Sequence, residues 1–395
     1  MNEHKWECRT KVRFGEKAVT KYLEEMVTEF AIPGKPVMMV YGGGSIKKNG
    51  AYDDVCDVLN KLNCKIVEFS GVMSNPTVAK MLEGVEVAKK NDIGLVLAVG
   101  GGSTMDCSKA IAVQTTYDGD AWQDFWMDGK PIEHTPLPCG VVVTMPATGS
   151  EVNGCAVLTN EETKIKCDRD YPAINPLFAI MDPTYTLTMP IRQLRAGTFD
   201  ILSHIMETYF SFPIEENPAD DVSEGLMRGL IRDFRAAIKN PQDYLARSNI
   251  MWCASLAENR IIKTGKTLDF QAHNMEHQLS AYTNCNHGEG LAILHPVYYR
   301  HIYKDGLGKF VSFAKNVWEL NPTDYSSDVE LALAGIEKLA ELIKEVGLPT
   351  SLREIGFGEE EKMLLPEIAE SCFISQGAYK LMTADEILEI YQECW

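Results

Sequence analysis

An α/β domain built on a parallel sheet, followed by an all-helical domain, is the fold that this sequence predicts. Three observations carry it. A chain of 395 residues exceeds one typical core, so two domains are expected. In the first half, short apolar runs alternate with amphipathic stretches, the rhythm of strand and helix in a parallel sheet. After "DPTYTLTMP" the strand-like runs vanish and long helical patterns follow, which places a boundary near Leu187 and gives domains of residues 1–187 and 188–395.

The expected strands are "VMMVY" (37–41), "KIVEF" (65–69), "GLVLAVG" (94–100), "GVVVTM" (140–145) and "FAIMD" (178–182). Their apolar residues are continuous rather than alternating, so the sheet should be buried on both faces. Apolar spacing predicts helices over 52–63 and 77–90, and in the second half over 191–210, 220–238, 241–259 and 328–346.

Composition bounds the partners. A formal net charge of -18 with no lysine or arginine cluster argues against nucleic acid and anionic membrane surfaces. No uncharged apolar run approaches the roughly 18 residues of a membrane span, and the polar start "MNEHKWECRTKVRFG" lacks the apolar core of a secretory signal. Eleven cysteines are scattered singly and odd in number, which fits a reduced, cytoplasmic setting better than a disulfide framework.

Two glycine turns share one design. "VMMVYGGGSIKKNG" and "GLVLAVGGGSTMDCSKAIA" each run an apolar strand into Gly-Gly-Gly-Ser and then a helix. Glycines let a ligand approach the backbone, and the helix start directs N–H groups at an anion. Two copies at the carboxyl ends of parallel strands point to a Rossmann-like nucleotide crevice. The run Ser103-Thr104-Met105-Asp106, with Gly101 and Gly102, suits the diphosphate; the first turn then takes the adenosine end. From Val37 to Gly50 there is no acid, but Ser45, Lys47 and Lys48 are present, a pattern favouring NADP over NAD.

In the second half, "DILSHIMETYF" places Asp200 and His204 one helical turn apart, and "QAHNMEHQLSAYTNCNHGEG" does the same for His273 and His277, with His287 following. Four such groups suffice for Fe(II), Zn(II), Co(II) or Ni(II) with a position left open. Five are present, so one is left for a different role. Either His273 and His277 bind as a pair, or one of them relays protons. The same stretch also matches H-x-x-E-H, a zinc-peptidase pattern in which Glu276 would be the base.

Taken in series, "YGGGSIKKNGAYDDV", "GVMSNPT", "VGGGSTMDCSKAIA", "TMPATGSEVNG", "AIMDPTYTLTMP", "DILSHIMETYF" and "HNMEHQLSAYTNCNHGEGLAILHP" resemble the iron-containing, group III alcohol dehydrogenases, in their NADPH-dependent butanol dehydrogenase or aldehyde reductase branch. The resemblance implies a dehydroquinate synthase-like architecture, a dinucleotide-binding domain joined to an all-α metal-binding domain. It implies a divalent metal, Fe(II) first, on Asp200, His204, His273 and His287, leaving His277 near the nicotinamide as proton relay. It puts the diphosphate against Gly101, Gly102 and Ser103, the adenosine end against Gly43, Gly44, Ser45 and Asn75, and the middle of the cofactor against Thr144, Thr148 and Lys166, with Lys164 the alternative to Lys166. The implied activity is hydride transfer between NADPH and short to medium-chain aldehydes, in a cytoplasmic homodimer whose partner is a small aldehyde or alcohol. A dehydroquinate synthase-like lyase is the nearer rival and a metallopeptidase the more distant one.

Overall fold

The computed structural model describes residues 3–395. The first unit is built on a six-stranded, wholly parallel sheet of β1 (Lys11–Phe14), β2 (Val37–Val40), β3 (Ile66–Phe69), β4 (Leu95–Gly100), β5 (Cys139–Val143) and β8 (Phe178–Met181). Its order is β1-β8-β5-β4-β2-β3. A separate antiparallel hairpin, β6 (Cys155–Asn160) with β7 (Ile165–Asp170), completes the strands. The five apolar runs expected as strands are β2, β3, β4, β5 and β8; four of them are inner strands, and β3 lies at an edge and is only partly buried. β1 and the β6–β7 hairpin lie outside the five expected strands, because "KVRF" is short and "IKCDRD" is mostly charged, so neither shows the apolar run that marks the others.

The helices of this unit are α1 (Ala18–Phe30), α2 (Ser45–Lys48), α3 (Ala51–Lys61), α4 (Val78–Asn91) and α5 (Gly102–Thr115). Alternate residues of the strands serve opposite faces. Val37, Met39, Leu95, Leu97 and Val99 pack with Leu23 of α1 and Val55 of α3, while Met38, Val40 and Val96 pack with Met81 of α4 and Ile111 of α5. Burial on both faces explains why the runs are continuous.

The strand order matters for function. The chain leaves β2 for β3 on one side, whereas β4 returns to the other side of β2 and leads on to β5. The switch point therefore lies between β2 and β4, and the two glycine turns stand at the carboxyl ends of these neighbouring strands. Open α/β sheets bind ligands at that crevice.

The helical unit holds α6 (Ile191–Tyr209), α7 (Pro218–Lys239), α9 (Gln271–Thr283), α10 (His287–Ile302), α11 (Leu307–Asn316), α12 (Asp328–Glu345), α13 (Glu359–Glu370) and α14 (Ala384–Glu393). Its core includes an aromatic group in which Phe210 stacks on Phe310 at 4.2 Å between ring centroids. One helix differs from the expected division at Leu187. α8 (Tyr244–Glu258) groups with the first unit, which comprises Glu7–Pro190 and Pro241–Asn259. The reason is packing: Met251 of α8 is buried against Val141, Val143, Ala179 and Met181 of β5 and β8. Helical periodicity places a helix along the chain but does not say which sheet it covers.

Candidate metal and cofactor sites

α6 positions the first groups. Asp200, His204 and Glu207 recur at helical spacing on one buried face. Asp200, His204 and His273 each offer a ligand atom within 4.8 Å of the others, a set that could hold a metal ion. His287 joins them, its Nε2 lying 3.5 Å from Asp200 Oδ1, and His273 Nε2 lies 3.8 Å from the same oxygen.

Each imidazole has its other nitrogen tied down. His204 Nδ1 donates to the Asp200 carbonyl at 2.8 Å, His273 Nδ1 to Glu207 Oε2, and His287 Nδ1 to Glu276 Oε2. Such bonds fix the tautomer and leave Nε2 as the ligand atom. Glu207 also serves the backbone, because its Oε1 accepts the N–H groups of Ala272 at 2.9 Å and His273 at 3.3 Å, capping the first turn of α9. One carboxylate thus sets both the helix and the ring it carries.

Glycines bring the remaining ligand in. Asn286 Oδ1 accepts the Glu289 N–H at 3.1 Å and starts α10, so that His287 is its first residue. A Cβ on Gly288 would stand 2.2 Å from the Ala196 carbonyl oxygen, and one on Gly290 would stand 2.9 Å from Glu276 Cγ. Only glycine lets α10 begin against α6 and Glu276 at this distance.

Electrostatics suit a cation. Burial alone would raise the Asp200 carboxyl, yet the His204, His287 and His273 imidazoles outweigh it and hold it down to about 2. Burial likewise works against charge on His273, but Glu207 and Asp200 raise it to about 10. Asp200 Oδ1 and His273 Nε2 are buried with no hydrogen-bond partner. Orphaned buried polar atoms are costly, and a metal ion bound to both removes the cost, so these residues fit the group.

His277 is buried beside the cluster, its ring centroid 6.0 Å from that of His273 and 5.6 Å from that of His287. It forms a second close group with Glu276 and His287. The peptidase reading of this stretch fails on Glu276, which is fully buried and holds Ser280 on one oxygen and His287 on the other. A base must be accessible to the proton it takes.

In the first unit, the loop after β3 lies beside the first glycine turn: Gly71 N–H donates to the Gly42 carbonyl at 2.9 Å, and Val72 N–H to that of Tyr41 at 3.3 Å. Asn75, half-buried and left-handed with φ 38°, belongs to this loop. A Cβ on Gly43 or Gly44 would meet nothing within 4 Å, and neither residue has a left-handed φ. The protein itself does not require glycine there, whereas a ligand lying on the backbone would. Gly102 is the opposite case, since a Cβ would come within 2.6 Å of Thr148 Oγ1 and Cγ2. Gly101 caps α5, and Thr144 N–H donates to the Gly100 carbonyl at 2.9 Å, so Thr144, Thr148 and Gly101–Ser103 converge.

Lys166 is buried on β7 and its charge favours the ionised Asp106, whereas Lys164 is an exposed turn residue with φ 53°. Asp106 spends both oxygens inside the protein, on Ser150 Oγ at 2.6 Å and the Val157 N–H at 3.2 Å. Glu68 is an acid close to the first turn that a reading of residues 37–50 alone could not see, since it comes in on the neighbouring strand β3, opposite Met39. It is engaged by Tyr41 at 2.6 Å and Tyr52 at 2.8 Å, and Lys47 Nζ lies 4.4 Å from the Tyr52 ring centroid.

A parallel sheet with paired glycine turns, and a helical unit bearing a carboxylate and histidine cluster, define a metal-dependent nucleotide enzyme. The chain belongs to the iron-containing alcohol dehydrogenase family: residues 9–183 match the iron-containing alcohol dehydrogenase model and residues 195–395 the family's C-terminal model. It is 38% identical over 388 residues to NADH-dependent butanol dehydrogenase A of Clostridium acetobutylicum, covering 98% of each chain. It is 32% identical over 395 residues to the NADPH-dependent aldehyde reductase YqhD of Escherichia coli, covering 99% of each. The crystal structure of NADH-dependent butanol dehydrogenase A from Thermotoga maritima superposes with a TM-score of 0.92 at 35% identity, over 100% of this chain and 99% of that one. The chain is thus an oxidoreductase, an NAD(P)H-linked alcohol dehydrogenase or aldehyde reductase with a metal. Neither the lyase nor the peptidase reading finds support. Among the described residues no helix is long and apolar enough to cross a membrane.

Proposed function

We propose that the protein reduces short to medium-chain aldehydes with NADPH, preferred over NADH, on an Fe(II) centre held by Asp200, His204, His273 and His287. The observation that carries the metal assignment is the set of Nε2 and Oδ1 atoms drawn together while Glu207, Glu276 and the Asp200 carbonyl hold the opposite side of each ring. When bound, the metal polarises a carbonyl and the nicotinamide supplies the hydride.

The chain's own residues do the rest. Gly43, Gly44, Ser45 and Asn75 receive the adenosine end, Gly101, Gly102 and Ser103 the diphosphate, and Thr144, Thr148 and Lys166 the middle of the cofactor. The sequence pattern puts Asp106 against the cofactor; its engaged oxygens support a role in holding the turn instead. His277 passes a proton to the alkoxide through water or a ribose hydroxyl, consistent with its place beside His273 and His287. The NADP preference is supported by Ser45, Lys47 and Lys48 at an open turn and by Glu68, whose oxygens are engaged by tyrosines. A cytoplasmic homodimer is our reading of the assembly, supported by exposed Phe14 and Trp252, in edge contact at 5.8 Å, and Leu245 on the same helix as Trp252. Sedimentation at working concentrations tests it.

The decisive experiment reconstitutes the protein anaerobically with Fe(II) and follows NADPH and NADH oxidation across short aldehydes under identical conditions. A clear NADH preference overturns the reading of the first glycine turn. His273→Ala is expected to lose metal and activity together, and His277→Ala to keep metal while turning over roughly 100-fold more slowly, within the range of general acid–base catalysis. The reverse pattern inverts the two roles.

A further inference from the structure

The segment between β5 and β6 carries Thr144 and Thr148 yet contains no helix or strand. Buried polar bonds hold it. Lys109, two turns along α5 from Gly102, is fully buried. Its Nζ donates to Ser150 Oγ at 2.6 Å, to Asn153 Oδ1 at 3.3 Å and to the Cys155 carbonyl at 2.7 Å. An ammonium has three protons, and all are used. Ser150 Oγ passes the chain on to Asp106 Oδ1, one turn before Lys109 on the same helix.

The other side of the segment is tied to α8. Ser255 Oγ donates to Glu151 Oε1 at 2.6 Å and Asn153 Nδ2 to Glu258 Oε2 at 3.1 Å. Gly149, left-handed at φ +58°, permits the approach, since a Cβ there would lie 2.3 Å from Glu258 Cβ. With both sides fixed, Thr148 closes on Gly102 at a distance that admits no Cβ.

We propose that Lys109 is a positioning residue for the dinucleotide: through Ser150, Asn153 and Asp106 it sets Thr144 and Thr148 against the turn at Gly101–Ser103. The inference rests on the reading that those residues hold NAD(P)H. Replacing a buried ion pair by apolar packing is often neutral in stability, so stability alone does not account for this pair, and a directional arrangement is the role we assign to it. Asp106 and Lys109 compensate one another: burial pushes the Asp106 carboxyl up, and the Lys109 charge opposes it.

The test measures NADPH affinity by titration calorimetry on metal-loaded protein, together with steady-state kinetics and bound metal per chain. Lys109→Met is expected to weaken NADPH binding about tenfold or more and to raise KM for NADPH in parallel, since small displacements of a supporting shell cost this much. At saturating NADPH, kcat and metal content should stay close to wild type. Ser150→Ala, which keeps both charges, should move affinity in the same direction by less. If Lys109→Met does not fold, the Asp106→Asn, Lys109→Met pair, which removes both charges together, and Ser150→Ala replace it. Unchanged NADPH affinity in the folded variants overturns the proposal, as does a loss of kcat or metal with affinity intact. The underlying reading fails in a different way: wild-type protein binding neither NADPH nor NADH, or Gly102→Ala binding as tightly as wild type.

Discussion

Glu207 stands at helical spacing from Asp200 and His204 in "DILSHIMETYF", yet nothing in the sequence sets it among the ligand candidates. Spacing along α6 was legible; what lies opposite that face was not, because Glu207 acquires its partners, Ala272, His273 and the His273 ring, only when α9 packs on α6. The same limit hid the role of Glu276, whose partner His287 starts the next helix, and it left His273 and His277 interchangeable by spacing alone. Glu207→Gln is expected to keep the α9 cap, since an amide oxygen still accepts backbone N–H groups, but to weaken metal binding by roughly 10–100-fold, the usual cost of losing an orienting carboxylate. Competition with a chelator, read as a metal dissociation rate, checks this; retention equal to wild type would refute the role.

At the level of elements, the two Gly-Gly-Gly-Ser turns look alike in sequence and differ in cause. Gly102 is required by Thr148, a contact inside the protein, whereas Gly43 and Gly44 face open space. Alanine separates them. Gly102→Ala is expected to lower Tm, by an overpacking cost of about 1–3 kcal/mol, and cofactor affinity together. Gly43→Ala should leave Tm within error and reduce affinity for the dinucleotide alone. Equal cofactor affinity in Gly43→Ala and wild type would show that nothing lies on that turn. The inner strands were legible from their continuous apolar runs, while the β6–β7 hairpin that carries Lys166 was not, since its charged residues obscure the strand pattern. Pairing in that hairpin now separates buried Lys166 from exposed Lys164, which two residues of sequence distance could not do.

For the whole molecule, the buried charge cluster makes stability depend on metal and pH jointly. In metal-free protein the His273 pKa is raised from its ordinary value to about 10. Its contribution is therefore fully present below the unfolded value near 6.5 and is lost as pH rises through 10. Asp200, held down to about 2, contributes above its unfolded value near 3.9 and loses that contribution as pH falls through 2. Chelated protein should thus lose on the order of a few kcal/mol between pH 7 and pH 10, while metal-loaded protein, in which the proton on His273 has been displaced, should not. Thermal unfolding of both forms across that range decides the point, and parallel curves would contradict it. Family and fold class were legible because their motifs are short and local. The route of the chain between its two units was not.

That route has a consequence for how the protein comes into being. The chain passes between its units at 6/7, 190/191, 240/241 and 259/260, so the cover that Met251 gives to β5 and β8 is added only once α8 has been made. A nascent chain that has just delivered β8 carries a finished sheet with an unfinished coat, and it must wait for some seventy further residues to leave the ribosome, at about 5–20 residues per second, before that half can seal. The parallel sheet is thereby completed late, after α6 and α7 of the helical unit that follows it in the sequence have been made.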